Sequence, residues 1–257
     1  MNIVVSMKQT FDTEAKIVLD GKGDIDGSGV NLVINPYDEF AIEEALKLKE
    51  KHGGEVTVVS VGGEKAEASV RTALAMGCDK AVRIDDPALA NADEWAVAKV
   101  LGKAVSELPH DLVLAGRIAV DDGSGQVAVR MADALGVPSV SSILKLEIEG
   151  DTARVTREID GGTELLEVKL PAVLTAQKGL NEPRLPSMKG IMGAKKKEIS
   201  VRNLADLGLA AEDAAPKMHA PKYSLPSPRA GGKLIPGEAA EAARELARLL
   251  REEAKVV

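Results

Sequence analysis

The residues with most chemical promise lie in LAGRIAVDDGSGQVAVRMADALG, positions 114 to 136. An apolar run ends at Gly116, a loop carrying Asp121 and Asp122 follows, and Gly123-Ser124-Gly125-Gln126 opens into a helix-like stretch. Glycines let a backbone approach a ligand closely, and the first turn of a helix offers unpaired N–H groups with a partial positive charge. That is chemistry for cradling a phosphate, and it breaks no bond by itself. Asn35-Pro36-Tyr37-Asp38 makes a second candidate, since it also follows a strand-like run and opens a helix. Each stretch has a plainer explanation as well. Ser124 or Asp122 can cap a strand-to-helix turn, and Asn35 reads as an N-cap with Pro36 at N1 and Asp38 at N3.

Other chemistries leave no trace. The histidines at 52, 110 and 219 are far apart and lack metal-ligand spacing. There is no Gly-x-Ser-x-Gly elbow, no P-loop with its Lys-Ser/Thr and no Cys-x-x-Cys. Cys78, after Met76-Gly77 at a helix end, reads as a small buried residue, and Lys195-Lys196-Lys197 as a solvated run. No nucleophile stands beside a base.

These residues need a scaffold. The first half of the chain alternates strand-like runs (NIVVSM, EVTVVSV, KAVRI, DLVLAG) with helical ones, among them NPYDEFAIEEALKLKEKHGG, which Gly53-Gly54 ends. Such alternation predicts an α/β fold, a parallel sheet covered by helices, with ligands beyond the carboxyl ends of the strands. From PSVSSILKLEIEG onward the pattern turns to hairpins. VTREIDGGTELLEVKLPAVLTA, 155 to 176, has two alternating charged segments about Asp160-Gly161-Gly162, the second continuing through Pro171 into an apolar strand. The segment QKGLNEPRLPSMKGIMGAKKK then reads as irregular: Pro183 and Pro186 oppose regular pairing, and Gly190 and Gly193 permit a tight, exposed reversal. The expected division is a domain over 1–200, with a hairpin at about 143–176 and a loop at about 178–197. A Pro-rich arm and terminal helix follow over 201–257.

Composition narrows the partners. A net charge of −7 lacks the basic stripe that nucleic acid requires. One cysteine suits a reducing compartment, the N-terminal apolar run is too short for a signal peptide, and no stretch is long enough to span a membrane. The expectation is a cytoplasmic, not membrane-embedded protein. Aromatic residues make up 2% of the chain, few for walling a large planar ligand alone.

The 155–176 stretch resembles the signature of the electron transfer flavoprotein β subunit, with Arg157, Asp160-Gly161, Glu164 and the run Pro171 to Thr175 in order. INPYDEFAIEEALKLKE, RTALAMG, DLVLAGRIAVDD, LNEPR and GIMGAKKK resemble the family too, so the likeness runs from residue 2 to about 200.

The resemblance implies a Rossmann-like α/β fold, similar to adenine-nucleotide α-hydrolases, whose parallel sheet has helices on both faces. It also implies a heterodimer whose α subunit holds the redox FAD, while this chain binds AMP structurally. Carried over by position, the AMP site would use Ser6, Asn35, Pro36, Tyr37, Asp38, Val61, Gly116, Arg117, Ile118, Ala119, Val120, Asp121, Asp122, Gly123, Ser124, Gly125, Gln126 and Val127. The dimer would carry electrons from acyl-CoA dehydrogenases or similar flavoenzymes to a quinone oxidoreductase. Glu158 would face the α subunit. Leu185, Met188 and Ile191 would dock the dehydrogenase, with Met188 as anchor where the family often has leucine. Near Phe11 to Thr13 an aromatic that touches the α-subunit flavin is expected, and Phe11 stands slightly off position. Two alternatives remain: an electron-bifurcating flavoprotein with a second FAD in place of AMP, and a stand-alone adenine-nucleotide binder of the universal-stress type.

Overall fold

A computed structural model describes all residues except 219–221 and 230, so His219 lies outside the described residues. The strands are β1 (Asn2–Ser6), β2 (Gln9–Phe11), β3 (Leu32–Ile34), β4 (Glu55–Val61), β5 (Lys80–Ile84), β6 (Leu112–Gly116), β7 (Ser139–Glu149), β8 (Thr152–Ile159), β9 (Gly162–Lys169), β10 (Val173–Ala176) and β11 (Ile199–Arg202). The α-helices are α1 (Pro36–His52), α2 (Glu67–Met76), α3 (Glu94–Ser106), α4 (Val127–Leu135), α5 (Met188–Ala194) and α6 (Ala239–Leu249). Nine strands form one sheet in the order β11-β5-β4-β1-β6-β10-β7-β8-β9. Its pairs are parallel from β11 to β7 and antiparallel from β7 through β9.

The period of two along β1 explains the layering. Ile3 and Val5 face a core built with Ala41, Ile42, Ala45 and Leu46 of α1 and Val70 and Leu74 of α2. Val4, between them, faces the opposite core with Val100 and Leu101 of α3 and Met131 of α4. A strand buried on both faces must be apolar along its buried centre, and Ile3-Val4-Val5 is. Full burial of side chains such as Ile3, Ile42 and Met131 stabilises the fold by about 1.5–3 kcal/mol each.

Three local expectations need correction. The segment after Gly162 is two strands: β9 ends at Lys169, the Leu170–Pro171 bond is cis, and β10 enters the sheet between β6 and β7. β8 pairs antiparallel with β7 across a turn at Gly150-Asp151 and with β9 about a turn at Asp160-Gly161, where Gly161 has φ +84°. The 178–197 segment is not irregular throughout, because α5 occupies Met188–Ala194 with the Ser187 hydroxyl accepting from the Gly190 N–H at 3.0 Å. Gly190 serves packing rather than reversal, since a Cβ there would collide with the Ala75 carbonyl of α2. The short antiparallel pair β2–β3 carried no sequence signal.

Two compact units emerge, Met1–Ile17 with Asp26–Pro221, and Val18–Ile25 with Lys222–Val257. The first extends past residue 200 because β11 completes the sheet against β5 and Leu204 and Leu207 join the core. In the second, α6 has no buried residue, and Leu246 is exposed. No helix among the described residues is long and apolar enough to cross a membrane.

Candidate functional site

The carboxyl ends of β1, β4 and β6 open onto a cleft. Its wall includes Ser6 and Val61 from strand ends, Asn35 and Asp38 from the start of α1, and Gly116, Arg117, Ile118, Ala119, Asp122, Ser124, Gly125, Gln126 and Val127 leading into α4. Thirteen of the sequence-expected residues thus converge on one cavity. Pro36, Tyr37, Val120, Asp121 and Gly123 lie outside its wall.

How the chain builds this cleft differs from the expected capping. Asn35 occupies the N-cap position of α1, yet its side chain makes no cap hydrogen bond. Its Nδ2 donates to the Ile118 carbonyl at 2.8 Å and its Oδ1 accepts from the Val120 N–H at 3.2 Å, so it ties α1 to the loop after β6. Asp38 is buried and accepts from the backbone N–H groups of Lys8 at 2.7 Å and Gly116 at 2.8 Å. Gly116 has no side chain because α1 lies directly on it: a Cβ there would strike Asp38 and Tyr37.

The Gly-rich turn presents donors. Asp122 accepts from the Ser124 N–H at 2.8 Å, and Gly123 donates to the Ala119 carbonyl at 2.8 Å. The N–H groups of Gly125, Gln126 and Val127 donate to no acceptor among the described residues. They sit where α4 begins, beside a cavity, which is the arrangement that attracts an anion. Gly125 has φ +63°, a conformation that favours glycine.

Lys8 was not expected from the sequence. Its Nζ bonds Asp121 at 2.8 Å and Asp122 at 2.7 Å, partly neutralising both carboxylates beside the turn. Burial pulls the Lys8 ammonium down, but bonds to the two aspartates outweigh it and hold it above its ordinary value. Burial pushes Asp122 up, and its bonds to Lys8 and Ser124 reverse that, leaving it lower than usual. Met7, Val97, Leu101, Ala115 and Ala128 complete the wall. Val97 and Leu101 reach the wall from α3, and neither was expected there from the sequence.

Burial raises the Asp38 carboxyl to about 7 against the two N–H donors, the Asn35 amide and the Lys8 charge. The folded chain therefore keeps a proton there that the unfolded chain releases near pH 4, so Asp38 stabilises the fold fully below pH 4. That contribution is lost as pH rises through 7. A shift of this size corresponds to on the order of 4 kcal/mol. Urea unfolding of the wild type and Asp38→Asn across pH 4–8 is expected to show the wild type losing stability relative to the variant in that window. A pH-independent difference would refute the assignment.

The chain matches the electron transfer flavoprotein domain over residues 23–207. It is 51% identical over 258 residues, across the whole of both chains, to the electron transfer flavoprotein subunit beta of Bacillus subtilis. The chain belongs to the electron transfer flavoprotein β-subunit family. It is also 46% identical to the corresponding subunit of Syntrophomonas wolfei, over 100% of this chain and 98% of the relative. The subunit of Bradyrhizobium diazoefficiens is 38% identical over 100% of both chains.

The remaining expected β-subunit residues lie away from the cleft wall. Glu158 is exposed on β8, opposite Thr163 of β9. Leu185, Met188 and Ile191 are exposed on and before α5. Phe11 ends β2 and is half-buried, with its ring so close to Gly27 that a Cβ on that glycine would stand 3.4 Å from it.

Proposed function

We propose that this chain is the β subunit of a heterodimeric electron transfer flavoprotein and holds AMP in the cleft at the start of α4. The observation that carries the nucleotide reading is the set of free N–H groups at Gly125, Gln126 and Val127 facing a cavity at the carboxyl ends of β1, β4 and β6. The residues fit an adenylate. The donors suit a phosphate, Lys8 moderates repulsion from Asp121 and Asp122, and Val61, Val97 and Leu101 offer an apolar wall for a base.

The flavin, held mainly by the α subunit, supplies the redox chemistry, and no nucleophile-and-base pair is required of this chain. The names of the relatives support a dimer with an α subunit. In that assembly Glu158 and α6 are proposed to meet the α subunit. Leu185, Met188 and Ile191 are proposed to dock an acyl-CoA dehydrogenase or a similar flavoenzyme, whose electrons pass on toward a quinone oxidoreductase. The apolar exposure of that segment supports docking, because large side chains left in water usually mark a contact surface.

Nucleotide content tests the reading. Purified dimer, denatured and resolved by chromatography, is expected to release one FAD and one AMP. Two FAD and no AMP would replace the reading with bifurcation. A stable, monomeric, nucleotide-loaded chain expressed without α would replace it with a stand-alone binder.

A further inference from the structure

We infer that Arg184 and Arg71 are positioning residues that hold the segment 185–193 in its docking geometry before a partner arrives. This inference rests on the docking reading above. Leu185 is 90% exposed, Met188 77% and Met192 67%, so the segment's own apolar side chains do little to fix its backbone. A seven-residue helix is unstable by itself in water. Something else must hold it.

The contacts that do so come from two helices of the body. Just before Leu185, the Arg184 guanidinium grips the buried Glu43 of α1, Nε to Oε2 at 2.8 Å and Nη2 to Oε1 at 3.0 Å. The same guanidinium reaches Glu50 at 2.5 Å, and the Arg184 backbone N–H donates to Glu43 at 3.1 Å. Asn181 adds bonds to the Phe40 carbonyl at 3.0 Å and to Glu44 at 2.9 Å. At the far end, Arg71 of α2 donates to the carbonyls of Ala194 at 2.9 Å and Lys197 at 2.6 Å, while Glu67 holds its Nε at 3.1 Å. Between the two clamps Gly190 lies against the Ala75 carbonyl. The segment is thus fastened before, within and after α5, while Leu185, Met188 and Met192 stay exposed.

This arrangement pre-organises a docking surface. A segment already ordered binds without losing chain freedom at that moment, whereas a loosened one must be ordered on contact. A planar fork gripping two carboxylates gives directional fixing that a lysine cannot reproduce.

Two variants of the assembled αβ flavoprotein test the inference. Arg71→Met severs the two carbonyl contacts at a partly exposed position. The double substitution Glu43→Met with Arg184→Met removes the other clamp without stranding a buried charge. Each is expected to keep its FAD and AMP content and its maximal rate with a dehydrogenase. Each is also expected to raise the flavoprotein KM by about tenfold, the cost of ordering a few side chains on binding. Amide hydrogen exchange over 185–193 should accelerate in parallel. Met188→Ala serves as the reference. If it raises KM and neither clamp variant does, the positioning inference is overturned while docking stands. If no variant raises KM, both fall. Faster exchange with an unchanged KM also overturns the inference.

Discussion

The flavoprotein carrying Gly125→Asp is expected to be isolated with its α-subunit flavin but without adenylate in this chain. The reason is charge at close range. Gly125 stands among the free N–H groups at the start of α4, so a carboxylate there would face the phosphate those groups are proposed to hold. Two unit charges about 4 Å apart repel by about 4 kcal/mol at an effective dielectric near 20, or roughly a thousandfold in affinity. Shape must be separated from charge. Gly125 has φ +63°, and a Cβ would press on Ile118 at 3.3 Å. Asparagine has the same size as aspartate and shares its tolerance of the left-handed region. Gly125→Asn should therefore retain much more AMP than Gly125→Asp. Equal AMP stoichiometry in the aspartate variant and the wild type would remove the turn from the site.

Met188→Ala should leave the fold, α-subunit assembly and flavin content intact, and weaken reduction by a partner dehydrogenase about thirtyfold at low concentration. The side chain is 77% exposed at the first position of α5, so its loss opens no cavity in the body. A flexible thioether adapts to the shape of an apolar pocket, which suits the anchoring role proposed for it. Truncating such an anchor typically costs about 2 kcal/mol, or roughly thirtyfold in affinity. Titrating the dehydrogenase with wild-type and variant flavoprotein reads the effect. Superimposable curves would assign the anchor elsewhere on the segment.

What the sequence revealed depended on where periodicity ran long enough to register. Strands β1, β4, β5 and β6 are apolar runs separated by helices of nine residues or more, and the parallel sheet followed from them. The three-residue strands β2 and β3 are separated by about twenty residues of loop and have no pattern to detect. At Asn35 the local rule pointed to the right position for the wrong reason. Asparagine before proline looks like a cap, yet its partners, Ile118 and Val120, are more than eighty residues away. Asp38 likewise resembled a first-turn acid, whereas its carboxylate joins three separate segments at Lys8, Gly116 and α1. Lys8 lies beyond β1 with no motif around it, and only the fold brings it to Asp121 and Asp122. Helix α5 was hidden by its glycines, whose purpose at Gly190 is close contact with α2.

Cys78 is fully enclosed in the core beside α2, and burial, reinforced by the charge of Asp79, raises its thiol to about 12. Almost none of it is thiolate near neutral pH, and it is the thiolate that reacts. The chain's single sulfhydryl is therefore silent toward maleimides and alkylating agents while the fold persists. A cysteine introduced at an exposed position becomes the one labelling point on this subunit, with no native thiol to remove first. A fluorophore or spin label placed there would report distances to the flavin directly, on a protein otherwise unaltered.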